Sequence, residues 1–189
     1  ELDLGDGLVF ICAASLTPKK NHAILLDAFA RAANRLPGSR LLLAGAGDTR
    51  AQLEEQAARL GLGQSLRFLG ARSDMPELFA AADVFVLSSL WEGMPLSVME
   101  AMAAGKPVVC TAVGGSREIV QDGVNGFLCD FWDHEAMAQK LADVLARSPQ
   151  LGHVRRNARQ TVLRSYDADV QTRRFMDLIE ASMQSRAEG

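Results

Sequence analysis

Short unbroken apolar runs alternate along the chain with longer stretches in which apolar residues return every three or four positions. Residues 8–14 (LVFICAA), 40–44 (RLLLA), 66–69, 84–87 (VFVL), 107–111 and 126–129 read as six strands. Runs this short and this continuously apolar fit strands buried on both faces. Between and after them, helical periodicity marks 21–35, 50–60, 74–81, 95–104, 116–121 and 133–147. In the first of these helices Leu26, Phe29, Ala30 and Ala33 share a face, with Asn21 as N-cap; in the last, Met137, Leu141, Val144 and Leu145 do so. Asp74 reads as an N-cap with Pro76 in the first turn. Pro95 fits a first helical position, where its missing N–H costs nothing. Pro37-Gly38 and Gly61 end their helices.

Strands that alternate with helices imply a parallel sheet whose faces are both covered. The expected architecture is α/β: a doubly wound, Rossmann-like, six-stranded parallel sheet with helices on both faces. After Pro149 the strands stop, and helices at 151–165 and 169–185 follow. The first carries Arg155, Arg156, Arg159 and Arg164, read as a solvated face. The second carries Phe175, Met176, Ile179 and Met183, a stripe that must pack on something.

Composition narrows the function classes. With 189 residues, 48% hydrophobic, the chain can bury a substantial core without a staple, and neither a disordered nor a collagen-like composition is present. A net charge of −3 argues against nucleic acid as a partner, since that requires clustered Lys and Arg. The apolar runs fall far short of the ~20 residues of a transmembrane segment, and residues 1–6 (ELDLGD) lack the basic start of a signal peptide. Cys12, Cys110 and Cys129 fall in the first, fifth and sixth strands, which suits buried thiols in a reduced, cytoplasmic setting. No CxxC or HExxH pattern points to a metal.

In an open parallel sheet, ligands bind beyond the carboxyl ends of the strands. After the first strand comes SLTPKKN, with two of the chain's four lysines, Lys19 and Lys20, beside a helix start. That placement suits a phosphate, or simply an exposed loop. After the second comes Gly45-Ala46-Gly47. Arg50 stands where a dinucleotide fingerprint needs its third glycine, so a tight turn is the better reading. The fourth strand leads into SSLWEGMPLSVME. Glu92 lies in this loop, while Glu100 lies inside the helix, about 7.5 Å along at 1.5 Å per residue. Free N–H groups around Met94, Leu96 and Ser97 offer an anion site between them. On residue type alone, Glu100 is equally a surface carboxylate and Glu92 equally a macrodipole partner. After the fifth strand, Gly114-Gly115 permits close approach to a ligand, or merely a turn. Six glycines between positions 93 and 126 favour a site on this side of the molecule.

The string EGMPLSVMEAMAAGKPVV, in which Glu92 and Glu100 enclose seven residues, resembles the E-x7-E segment of retaining glycosyltransferases of family 4. The resemblance extends to FLGARSDMPELFAAADVFVLSS before it and GGSREIVQDGVNGFL after it, and covers about residues 8–148. It implies a GT-B protein: two Rossmann-like domains facing a cleft, no metal or other cofactor, and a UDP- or GDP-sugar donor on the C-terminal domain. On that pattern Glu92 contacts the donor sugar. The backbone at Gly93, Met94, Pro95 and Leu96 lines sugar and diphosphate, and Glu100 accepts from the ribose hydroxyls. Lys20 matches the family lysine that neutralises the diphosphate, and Arg72 sits loosely where relatives hold the base. One departure stands out: Ser15 occupies a position where many members carry a diphosphate-binding arginine. Either Lys20 acts with helix dipoles alone, or another cation substitutes, Lys19 being nearest.

The resemblance further implies that residues 1–165 form a nucleotide-sugar-binding domain. Residues 166–189 would be a helix that crosses back to an N-terminal, acceptor-holding domain absent from this chain. The whole protein would then be about twice this length, cytoplasmic, and open to peripheral association with a membrane. The isolated chain would not transfer sugar. A non-catalytic nucleotide-binding regulatory module is the competing reading.

Overall fold

The structure, a computed structural model, describes residues 4–33, 35, 37–130, 132–146 and 151–187. The six expected strands form: β1 (Val9–Ala13), β2 (Arg40–Ala44), β3 (Leu66–Gly70), β4 (Val84–Leu87), β5 (Val108–Thr111) and β6 (Phe127–Cys129). They make one parallel sheet in the order β3-β2-β1-β4-β5-β6. β4 and β5 are buried throughout and β1 and β2 at all but one end residue each, as both-face burial requires. Phe10, Ile11, Leu41, Leu42, Phe85 and Val109 form the middle of the core. The edge strand β3 is only half-buried beyond Leu66.

The helices are α1 (His22–Ala33), α2 (Arg50–Arg59), α3 (Met75–Ala81), α4 (Leu96–Ala103), α5 (Gly114–Ile119), α6 (His134–Ala146), α7 (Leu151–Ser165) and α8 (Ala168–Ala187). They cover both faces of the sheet, α1 packing with α2 and α6, and α4 with α7. All three cysteines are free and buried, as the strand placement implies. The Arg-rich face of α7 is exposed while Val154, Ala158 and Val162 turn inward, and Arg159 donates to the Ala103 carbonyl at the end of α4 (2.5 Å).

Four local expectations are corrected. Asn21 does not cap α1 through its side chain. It closes a 3₁₀ turn at Pro18–Lys20, with φ 48°, a left-handed conformation that asparagine tolerates better than most residues. Pro95 precedes α4 as its N-cap residue rather than occupying its first turn, and the Val98 N–H donates to its carbonyl (3.0 Å). Asp74 does stand at the N-cap of α3 with Pro76 in the first turn, but its carboxylate makes no cap bond because the Arg72 guanidinium takes both its oxygens. Helix α5 begins at the paired glycines, two residues earlier than its periodicity suggests. Helix α1 also buries more than the four-residue stripe: His22, Leu25, Ala28 and Ala32 join Leu26 and Phe29, because the helix lies between the sheet and α6. The side chains of Val144 and Leu145 lie outside the described residues, but Met137 and Leu141 are fully buried.

Candidate functional site

Adjacent parallel strands whose connections leave in opposite directions open a crevice at their carboxyl ends. Here that switch point lies between β1 and β4, which pair through Phe10 with Val84 and Ile11 with Phe85. The loop after β1 carries Lys19 and Lys20; the loop after β4 carries Glu92. Backbone and hydroxyl contacts stitch the two loops together. The Leu90 N–H donates to the Lys19 carbonyl (2.9 Å), and the buried Ser88 hydroxyl lies 2.9 and 3.0 Å from the carbonyls of Lys20 and Asn21.

At their meeting point Lys20 Nζ donates to Glu92 Oε1 at 2.6 Å, and Ser89 Oγ donates to the same oxygen at 2.5 Å. Lys19 Nζ stands 3.9 Å from the other oxygen, Oε2. Glu92 is 7% exposed. A carboxylate so buried carries a desolvation cost of several kcal/mol, which the two short charge-assisted bonds and two ammonium groups offset. Its backbone is fixed as well. Thr111 Oγ1 donates to the Ser89 carbonyl (2.6 Å), and the Gly115 N–H donates to the Glu92 carbonyl (3.0 Å). This contact explains the paired glycines: a Cβ at Gly114 would stand 2.0 Å from the Glu92 carbonyl oxygen, and one at Gly115 2.0 Å from that of Gly93. The glycines serve approach of loop to loop.

Beyond Glu92 the chain turns outward. Gly93, Met94 and Leu96 are exposed and Pro95 is buried. The first N–H groups of α4 point into this region without acceptors four residues back in the helix, an electropositive end. Glu100 is exposed and its carboxylate has no partner among the described residues. Ser15 is exposed on the rim, next to β1. Arg72 follows edge strand β3, two strands from the switch point, with its guanidinium committed to Asp74 (2.7 and 2.5 Å). That pairing holds Arg72 above and Asp74 below their ordinary pKa values.

Beneath the lysine loop, buried His22 places Nε2 3.6 Å from Cys12 Sγ. Burial, reinforced by nearby Lys20, pushes the imidazole down to about 4, while burial pushes the thiol up to about 12. Both are neutral at pH 7, so the contact is a neutral hydrogen bond that ties α1 to β1. A groove of about 360 Å³ is lined by Thr17, Asn21, Thr49 and Gln52, but by none of Lys20, Glu92 or Glu100. Among the described residues, no three His, Cys, Asp or Glu side chains gather where they could hold a metal ion. Likewise no helix among them is long and apolar enough to cross a membrane.

Lys20 and Glu92 are therefore brought into contact, with the backbone from Gly93 to Leu96 beside them; Glu100, Ser15 and Arg72 stand apart from that contact. Ser89, Thr111 and Trp91 surround this contact; Ser89 and Trp91 lie within the SSLWEGMPLSVME stretch, but nothing in it singles them out. For Ser89 and Thr111 the sequence signal is a small hydroxyl residue at or just beyond the carboxyl end of an otherwise apolar strand.

Such a sheet, with its crevice at the β1–β4 switch point, defines a Rossmann-like domain of the kind found in GT-B glycosyltransferases. The chain belongs to the family described as glycosyl transferases group 1, whose model matches residues 3–161. It is 30% identical over 174 residues to the lipopolysaccharide core biosynthesis glycosyltransferase LpsE of Rhizobium meliloti, covering 92% of this chain and 50% of that protein. It is 29% identical over 176 residues to an Escherichia coli UDP-Gal:alpha-D-GlcNAc-diphosphoundecaprenol alpha-1,3-galactosyltransferase, covering 92% and 45%. The solved structure of Anabaena HepE in complex with UDP and glucose superposes with a TM-score of 0.87 at 29% identity, covering 94% of this chain and 49% of HepE. The chain thus spans about half the length of the relatives it matches.

Proposed function

We propose that this chain is the donor-binding half of a retaining, metal-independent glycosyltransferase, holding a nucleoside-diphosphate sugar in the crevice between β1 and β4. The observation that carries the reading is the Lys20–Glu92 contact at the switch point, beside the open N-terminus of α4. Support comes from the family and from HepE, whose structures hold UDP-glucose and UDP with glucose.

The residues divide the work by charge. An ammonium has three donors, so Lys20 gives one to Glu92 and keeps two for a diphosphate. The α4 N-terminus and the backbone from Gly93 to Leu96 add partial positive charge where negative charge grows as the nucleoside diphosphate departs. Glu92 Oε1 already accepts two short bonds, which makes it a poor nucleophile. Oε2 accepts from none and is left for a sugar hydroxyl. Glu92 therefore orients the sugar and stabilises its developing positive charge. Glu100 accepts from the ribose hydroxyls, Ser15 borders the phosphate region, and Arg72 lies toward the base. The donor is a UDP- or GDP-sugar. Residues 1–165 form the binding domain, and the α8 stripe of Phe175, Met176, Ile179 and Met183, exposed in this chain, meets the N-terminal domain that holds the acceptor.

Calorimetric titration of the chain with UDP, GDP, ADP and NAD tests this. A nucleoside diphosphate should bind, NAD should not, and Lys20→Ala and Glu100→Ala should each weaken the diphosphate. Binding of NAD alone, or unchanged affinity in both variants, overturns the reading. Sugar transfer by the isolated chain would contradict the division of labour between halves.

A further inference from the structure

We propose that Lys19, parked on the indole of Trp91, is a second diphosphate-binding cation of this site, and the one that moves when the donor arrives. The inference rests on the donor-binding reading above and extends it to residues which that reading leaves unused.

Charge balance is the first ground. The cluster holds one buried carboxylate and two ammonium groups, and Lys20 with Ser89 already saturates the near oxygen of Glu92. Lys19 Nζ stands 3.9 Å from the far oxygen, beyond hydrogen-bond reach, and donates to no acceptor among the described residues. The loop that borders the crevice therefore carries one unit of surplus positive charge. Its side chain is 32% exposed, against 18% for Lys20, so it is the freer of the two.

The second ground is how Lys19 is held. Its ammonium lies 3.5 Å from the centroid of the Trp91 ring, and Trp91 is 61% exposed. An indole face attracts a cation without consuming its hydrogen-bond donors, so it can hold the lysine in place and release it to a stronger acceptor. The pairing is built by the backbone. The Leu90 N–H donates to the Lys19 carbonyl, which sets Lys19 beside the residue preceding Trp91. A diphosphate offers the acceptors that Lys19 lacks, at a site where Lys20 is shared with Glu92.

Binding of UDP and GDP, together with the free nucleoside of whichever binds, distinguishes the outcomes. Lys19→Gln should weaken the diphosphate about tenfold and leave the nucleoside unchanged, the loss expected for one charge-assisted contact. Lys19→Arg should retain binding. The chain has two tryptophans, so in a Trp132→Phe background the emission of Trp91 reports on its own partner. The diphosphate should change that emission in the presence of Lys19 and not in Lys19→Gln. A parent that binds the diphosphate while Lys19→Gln stays within about twofold of it refutes the role of Lys19 alone. A Trp91 emission that ignores the diphosphate refutes the movement. A parent that binds no nucleoside diphosphate overturns the donor-site reading, and this inference with it.

Discussion

Lys20 and Glu92, 72 residues apart in the chain, meet at 2.6 Å because β1 and β4 are neighbours in the sheet and deliver their following loops to one crevice. The contact also bears on stability, since Glu92 is buried and Lys20 is its nearest cation.

Lys20→Met leaves Glu92 with Ser89 and a lysine 3.9 Å away. Stability should fall by about 2–3 kcal/mol, the cost of a buried charge that loses a hydrogen-bonded partner. Adding Glu92→Gln should restore part of the loss, because a neutral amide needs no counter-ion. Urea unfolding of the two singles and the double closes that cycle; strictly additive losses would show that the pair does not interact.

His22 makes stability pH-dependent. Burial holds its imidazole down at about 4 in the folded chain, against 6.5 for an imidazole in water, so between these values the unfolded chain binds the extra proton. Stability from this group is fully present above pH 6.5 and is lost as pH falls toward 4, by about 3 kcal/mol in all. Below about pH 4 its contribution is flat. Denaturant unfolding of the parent and His22→Gln from pH 7.5 to 4.5 should show a steeper decline in the parent; parallel curves would refute a buried neutral imidazole.

Gly115 and Gly93 should respond very unequally to alanine. A Cβ at Gly115 would stand 2.0 Å from the Gly93 carbonyl oxygen and 3.2 Å from Pro95 Cδ, whereas one at Gly93 meets nothing within 4 Å. Gly115→Ala should therefore cost more than about 2 kcal/mol, with Gly93→Ala within about 0.5 kcal/mol of the parent. Thermal unfolding of both variants, side by side, decides it.

Cys12, Cys110 and Cys129 should resist a thiol reagent at pH 7–8 in the folded chain and react on unfolding. Burial raises all three thiols, Cys12 and Cys129 to about 12. Rapid labelling of a cysteine under native conditions would show local opening of its strand.

The sheet was legible because parallel strands covered on both faces must be apolar almost throughout; VFVL at 84–87 and RLLLA at 40–44 admit little else. Helix boundaries near the site were less legible. Asn21 and Asp74 both carry N-cap chemistry, yet one adopts a left-handed turn and the other is taken by Arg72, outcomes set by neighbours rather than by propensity. The paired glycines were equally ambiguous: residue type permits a turn or a ligand, and only the approach of the Glu92 and Gly93 carbonyls shows which constraint operates.

By itself, then, the sequence determined the alternation of strand and helix, the parallel sheet and the family motif around Glu92 and Glu100, because these depend on local periodicity and spacing. Tertiary structure decided which groups touch. It buried Glu92, gave Oε1 to Lys20 and Ser89, left Oε2 open and set Lys19 on Trp91. Those outcomes depend on strand order, which brings the loops after β1 and β4 together across the switch point, and on the low-dielectric surroundings that make a buried carboxylate hold the ammonium it meets.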